Sequence, residues 1–475
     1  MREFSGLAIQ RKIPYNGNGS GGGRSPVPAG SARFHRKGNH AARCAGSGEM
    51  GITMEILTKP EVKRFDRGKE PVRQRRILQP ITWAASFPAY WKHKGKLQKI
   101  NMEGLKPPYL LLCNHNAFMD FFVMTVALFP HRANYIVAVD GFPHKLEWLC
   151  RQVGCIGKRK FTNDTAMVRQ MQQVVRNGDI MVMYPEARYS LCGTDAVLPD
   201  SLGKLVKLLK VPVVVLMMHG HHINQPFWNL TQRGTPIEAE MTRILTAEEV
   251  KTLPYEEINQ RIRDSFHYDD YAWQKEKQIR VELPTRAEKL HKILYQCPHC
   301  RTEYKMRSEG TRLWCEACGK AWTLDEYNEL HAEEGETKFS HIPDWYEWER
   351  EQVREEVRSG SYRYDGEVEV TLMPRPAGFV PIGEGRLEHS LKGFRLTGVS
   401  DGKEYCLERD ALTMYSCHVE FDYFDLGDCL DLSTLDDTYF CHPKEENYCL
   451  TKFALATEEI YQYRLEQHRE EKKKK

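Results

Sequence analysis

The sequence predicts an α/β domain followed by a small cysteine-knuckle ribbon and a β-rich C-terminal domain. Three observations carry this reading. Between about residues 100 and 266, short apolar β-like runs alternate with helix-length amphipathic stretches; four of the 14 cysteines fall into two CxxC pairs; and from Glu367 the apolar period becomes two. With 41% hydrophobic and 11% aromatic residues in 475, the chain has enough apolar mass for real cores, which excludes wholesale disorder. No run of about 18 apolar residues occurs, which excludes a multi-pass membrane protein.

Residues 1–53 are rich in Gly, Ser, Arg and Asn and lack an apolar signal-peptide core, so a disordered tail is expected there. Met50 and Met54 stand where composition becomes ordinary, and the mass of the native N-terminus tests whether the chain starts at one of them. The net charge of +3 is polarised: residues 1–99 carry 20 basic and 6 acidic side chains, and the remainder is acidic. Within 54–99, Trp83, Phe87, Tyr90 and Trp91 lie between a cluster of arginines (Arg73, Arg75, Arg76) and one of lysines (Lys92, Lys94, Lys96, Lys99). Aromatics flanked by cations suit an anionic membrane surface. Solvated flanks on an ordinary core helix are the alternative.

In the α/β domain (100–266) the expected strands are Tyr109–Cys113, Tyr135–Val139, Ile180–Tyr184 and Val211–Met218. The expected helices are Ala117–Leu128, His144–Val153, Asp164–Arg176 and Ser201–Leu209. The third helix is the clearest, with Asp164 as N-cap, Met167, Met171 and Val174 on one face and Gly178 as the stop. A charged helical connector is expected over 267–293.

The ribbon follows at 294–333. Cys297 and Cys300 are separated by 14 residues from the pair Cys315 and Cys318, a spacing that suits four thiolates on one tetrahedral zinc ion. Such a closed site is structural, because no coordination position is left for catalysis. The other cysteines are expected to be small core residues of a reducing compartment. Arg301, Lys305, Arg307 and Arg312 leave a nucleic-acid or partner contact open, but Glu303, Glu309 and Glu316 dilute that patch.

A second helical connector (334–362) contains the charge-rich helix Asp344–Arg358, expected to present a solvated face. In the last domain (363–475), seven short strands are expected: Glu367–Met373, Gly385–His389, Gly393–Val399, Lys403–Glu408, Ala411–Tyr415, Cys429–Thr434 and Thr438–Cys441. The helix Leu450–Glu471 closes the chain. This element order is similar to that of a pleckstrin-homology-like barrel.

The chemistry is expected where the run Leu110–Cys113 ends. Asn114 is a good N-cap, and His115 and Asp120 fall at a strand-to-helix turn, where the carboxylate can hold one imidazole nitrogen as N–H and leave the other as a base. Three further blocks follow: Gly154–Arg159 with its basic end, Tyr184-Pro-Glu-Ala-Arg-Tyr-Ser190 after a buried strand, and Val211-Pro-Val-Val-Val-Leu216. In this order the four blocks resemble those of the lysophospholipid acyltransferase superfamily, whose members include the 1-acylglycerol-3-phosphate acyltransferases. The likeness covers about residues 100–230. Where the family has Gly-Thr-Arg-Ser after its glutamate, this chain has Ala187-Arg188-Tyr189-Ser190, and Val215 replaces the second proline of the last block.

The resemblance implies a mixed sheet flanked by helices and an O-acyltransferase of phospholipid biosynthesis. His115 would be the general base and Asp120 its orienting acid, with Asn114, Arg159, Glu186, Arg188 and Pro212 at the substrate. The donor would be acyl-CoA or acyl carrier protein, and the acceptor a lysophospholipid resembling lysophosphatidate. The protein is expected in the cytoplasm, peripheral at the inner face of the membrane, with no nucleic acid as partner. The competing reading is a nucleic-acid- or protein-binding scaffold built on the zinc ribbon, with an inactive acyltransferase-like domain. His219, His221 and His222 are expected to line the mouth of the site and not to bind a metal.

Overall fold

A computed structural model describes residues 55–56, 63–143, 146–376, 378–423, 426–445 and 447–474. The tail expected over 1–53 lies outside them. In chain order the first part comprises β1 (Glu55–Ile56), α1 (Gln79–Lys92), β2 (Lys96–Ile100), β3 (Leu110–Cys113), α2 (Asp120–Leu128), β4 (Ala133–Ala138), α3 (Glu147–Gln152), β5 (Cys155–Lys158), α4 (Thr165–Arg176), β6 (Ile180–Met183), α5 (Leu202–Leu209), β7 (Val213–His219), α6 (His221–Asn224), β8 (Glu238–Leu245), α7 (Ala247–Thr252), α8 (Tyr255–Ser265) and α9 (Asp270–Glu276).

Strands β2 to β8 build one mixed sheet in the order β2-β8-β7-β3-β6-β4-β5, in which only the β7–β8 pair is antiparallel. Leu110, Leu111 and Leu112 of central β3 are fully buried, as a strand covered by helices on both faces requires. Helix α4 begins as its sequence dictates: the Asp164 carboxylate accepts the N–H groups of Ala166 and Met167, and Met167, Met171 and Val174 are buried. Strands β2, β5 and β8 were not anticipated. In β8 (EAEMTRIL) polar and apolar residues alternate, and β2 (KLQKI) is mostly charged or polar, so neither reads as an apolar run. Residues 54–99 therefore contribute a helix and an edge strand to this domain.

Four strands, β9 (Met306–Glu309), β10 (Arg312–Cys315), β11 (Ala321–Leu324) and β12 (Leu330–Ala332), form the ribbon. The connector before it is not one helix. After α9 the chain is extended or turned, because Val281, Ala287, Leu290, Ile293 and Leu294 are buried and Pro284 interrupts them. Helix α10 (Ile342–Ser359) corrects the expectation of a solvated charged helix: Trp345, Tyr346, Glu349, Arg350, Val353 and Val357 are all buried. Trp322 of the ribbon packs on Trp345, ring centroids 4.9 Å apart.

The C-terminal domain contains β13 (Tyr364–Arg375), β14 (Gly378–Ser390), β15 (Gly393–Ser400), β16 (Lys403–Asp410), β17 (His418–Glu420), β18 (Cys429–Ser433), β19 (Thr438–Pro443) and α11 (Leu450–Lys474). The order β16-β15-β14-β13-β19-β18-β17 is antiparallel: the meanders β13–β16 and β17–β19 join through the β13–β19 pair, β16 and β17 end the sheet, and β1 adds a parallel contact to β14. Seven strands and a helix are present as expected, but one strand is displaced. Ala411–Thr413 is a 3-10 turn capped by Asp410, and the strand lies at His418–Glu420. One hydrophobic core joins Leu191, Phe227 and Trp228 of the first domain to the ribbon, α10, the C-terminal sheet and α11.

Candidate active site

The site lies beyond the carboxyl ends of β3, β6 and β7, where ligands bind in open α/β sheets. Asn114 ends β3. Its amide donates to the Met218 carbonyl (2.9 Å) and accepts the Met218 N–H (2.8 Å), so it ties β3 to β7 and does not cap α2. Helix α2 starts at Asp120 instead. The fully buried Asp120 carboxylate accepts the N–H groups of Asn116 (2.7 Å) and Ala117 (3.1 Å), which folds the 114–119 turn around it.

The same Oδ2 accepts from His115 Nδ1 at 2.9 Å, and Oδ1 accepts from His221 Nδ1 at 2.5 Å. A carboxylate can only accept, so both histidines carry hydrogen on Nδ1. Burial alone would raise the Asp120 pKa, but hydrogen bonds and charge from His115 and His221 outweigh it and hold the group at about 2. It is therefore an anion at any physiological pH. The His115 ring is 22% exposed and sits between Tyr184 and Tyr189, with centroids 4.2 and 4.0 Å away. Its Nε2 has no protein hydrogen-bond partner among the described residues, and the ring lines a mostly apolar cavity of about 860 Å3.

Glu186 is brought to the same place. Its buried carboxyl accepts the His115 N–H (2.8 Å) and the Ala196 N–H (3.3 Å) and thus fixes the backbone at His115. Burial pushes its pKa up to about 8, against those two bonds and the charge of Arg188. The Ser190 N–H donates to the His115 carbonyl (2.8 Å), so the 184–190 loop holds His115 from both sides.

Three expected substrate residues are placed otherwise. The Arg159 guanidinium is 4% exposed and donates to Thr438 Oγ1 (2.8 Å) and to the carbonyls of Pro374 (2.9 Å) and Asp436 (2.8 Å), all in the C-terminal domain. Arg188 lines the cavity but donates to Glu458 Oε1 (2.6 Å) and Ser416 Oγ (3.0 Å). The register pairs Val213 with Leu110 and Leu216 with Cys113, so Pro212 lies at the opposite end of the sheet from His115. Neither arginine is where a sequence block alone would put a phosphate ligand, because the C-terminal domain that claims both is more than 200 residues away in the chain.

His221 was missed as a partner of Asp120. Adjacent histidines after a buried strand gave a signal, but the single-turn α6, which aims His221 inward, does not show in periodicity. Asn116 is held in turn by the Tyr268 hydroxyl at 2.7 Å.

In the ribbon, Cys297 and Cys318 sulfurs are 3.8 Å apart and those of Cys300 and Cys315 are 3.7 Å apart. A tetrahedron of thiolates with Zn–S of about 2.3 Å has edges of about 3.8 Å, so the four fit zinc. Both knuckles make the same turn. The Arg301 N–H donates to the Cys297 carbonyl and the Gly319 N–H to the Cys315 carbonyl (both 2.9 Å), with positive φ at Arg301 (61°) and Gly319 (75°).

Residues 91–219 match the family model described as Acyltransferase. Among solved structures the chain is similar to the 1-acyl-sn-glycerophosphate (LPA) acyltransferase PlsC from Thermotoga maritima, at 15% identity and a TM-score of 0.34, covering 42% of this chain and 81% of that one. No curated protein sequence matches. Over residues 91–219, around the His115–Asp120 pair, the chain carries an acyltransferase-family domain.

Proposed function

We propose that the protein moves a fatty acyl group from acyl-CoA or acyl carrier protein to a hydroxyl of a lysophospholipid. The observation that carries this is the His115–Asp120 contact, within the acyltransferase match and at the wall of an apolar cavity. His115 Nε2 takes the proton of the acceptor hydroxyl as its oxygen attacks the thioester carbonyl. The tetrahedral intermediate collapses, the thiolate leaves, and the proton on Nε2 passes to it, so no covalent enzyme intermediate is needed. Asp120 stabilises the imidazolium, and the faces of Tyr184 and Tyr189 favour its charge. Asn114 and Pro212 serve the fold in this reading, Glu186 positions His115, and Arg159 and Arg188 hold the chamber wall. The four cysteines would hold zinc, which would stabilise the ribbon and take no part in transfer.

The reading places the enzyme peripherally at the inner face of the membrane. No helix among the described residues is long and apolar enough to cross one. Around α1, Ile77, Ile81 and Trp91 are exposed beside exposed Arg76, Lys92 and Lys94, which supports an interfacial contact. Tyr90 is buried, and Trp83 and Phe87 pack on Phe129, so only part of the aromatic run is available for it. The scaffold reading has less behind it, since Arg307 and Arg312 of the ribbon are paired with Glu316 and Glu333. Purified protein and His115→Ala, incubated with labelled acyl donor and a lysolipid panel, test the proposal: transfer should vanish in the variant while its fold persists, and full activity in the variant would sink it.

A further inference from the structure

The cavity beside His115 is not enclosed by the acyltransferase-family domain alone. One wall is built by Phe118, Phe121, Ile136 and Met183, but Leu412, Tyr415, Tyr423 and Tyr461 come from the C-terminal domain, the last from α11. This second wall is fixed in place. The Tyr415 hydroxyl donates to the Pro185 carbonyl (3.0 Å), its ring meets Phe161 at 5.1 Å, and Arg159 and Arg188 reach across the seam to Thr438 and Glu458. The charged side chains at the seam are gathered around one cation: Lys160 Nζ lies 2.6 Å from Asp140 Oδ2, 3.4 Å from Asp431 Oδ2 and 3.5 Å from Glu420 Oε1. What remains for a ligand is mainly hydrocarbon and aromatic surface.

We propose that the C-terminal domain is the far wall of a chamber for a long hydrocarbon chain, and that Leu412, Tyr415 and Tyr461 contact that chain and set its preferred length. The inference rests on the transferase reading only for whose chain it is, the donor's or the acceptor's. Its physical basis is the shape and polarity of the wall. Each methylene moved from water onto such a surface adds about fourfold to affinity, so an obstruction that excludes two or three of them costs roughly 15- to 60-fold.

The test begins with the intact wild-type chain and two photoactivatable probes, a diazirine fatty acyl-CoA and a diazirine lysophospholipid. Adducts within 411–423 or at Tyr461 are expected, and the probe that forms them identifies the source of the chain. Adducts confined to residues 115–210 with both probes overturn the proposal. Labelling does not require turnover, so a protein that labels in the C-terminal domain yet transfers nothing keeps the chamber and loses the transferase reading. In Leu412→Trp, affinity for cis-parinaric acid should fall by at least tenfold and transfer should shift toward shorter chains. In Tyr461→Ala the preference should move to longer ones. Both variants folded, with unaltered preference and probe affinity, would also overturn it.

Discussion

Replacing Glu458 with Gln removes the one negative charge held between two buried guanidinium groups. Glu458 is fully buried in α11 and accepts from Arg188 (2.6 Å), Arg350 (2.8 Å) and the Ser416 hydroxyl (2.7 Å). Burial opposes its ionisation, but the charges of Arg188 and Arg350 prevail and bring the carboxyl from 4.5 to about 2. That difference corresponds to roughly 3 kcal/mol of linkage, present in full above pH 4.5 and lost as pH falls toward 2. An independent route agrees: leaving one partner of a buried ion pair uncompensated costs about 3–5 kcal/mol. In urea unfolding at pH 7, Glu458→Gln should therefore lose about 3–5 kcal/mol. The gap to wild type should narrow between pH 4.5 and pH 2. Because Arg188 sits two residues from Glu186, transfer should fall as well. A variant within about 1 kcal/mol of wild type at pH 7 would refute the view that this triad locks the 184–190 loop to α10 and α11.

Asp120→Asn should lower turnover by on the order of 10³–10⁴, since the amide can hold His115 in the wrong tautomer; steady-state kinetics with a folded variant measures it. His221→Leu removes one hydrogen bond to a buried carboxylate, worth about 1.5–3 kcal/mol, and kcat should fall roughly 10- to 150-fold with little change in KM; an unchanged kcat would make His221 a packing residue only. For Glu186, whose carboxyl is raised to about 8 by burial, the stabilisation from its proton is full below pH 4.5 and lost as pH rises through 8. Melting curves of Glu186→Gln should stay flat over that window while those of wild type decline. Elemental analysis should find one zinc per chain, and Cys297→Ser should lose it together with ribbon stability.

Much of this was legible from local chemistry. The buried runs Leu110–Cys113 and Ile180–Met183 and the capped helix after Asp164 appear because burial and capping are written within a few residues. The His115–Asp120 contact is also local, five residues apart at a turn. The destinations of Arg159 and Arg188 were hidden, since their acceptors lie 279 and 270 residues away for Thr438 and Glu458. The same holds for α10: its Glu and Arg residues look solvated until Glu458 and the ribbon tryptophan are brought against them. Composition also misled over 267–293, where a charge-rich stretch read as a helical connector is α-helical only at α9 and then buries its irregularly spaced aliphatics along an extended or turned segment.

Strand β8 has a consequence for how the chain is made. It lies between β2 and β7, so the sheet that begins at Lys96 stays split until Leu245 is in place. During synthesis the hydrogen-bonding edge of β7, with Val213 to Leu216 buried in the finished protein, is open for the time taken to make some twenty-five more residues. A fragment ending at residue 219, where the family match stops, would keep that edge open permanently and leave β2 with nothing to pair to. Expression trials should keep the chain through α11 rather than cut it at the motif boundary, and the shorter fragment should be recovered as aggregate.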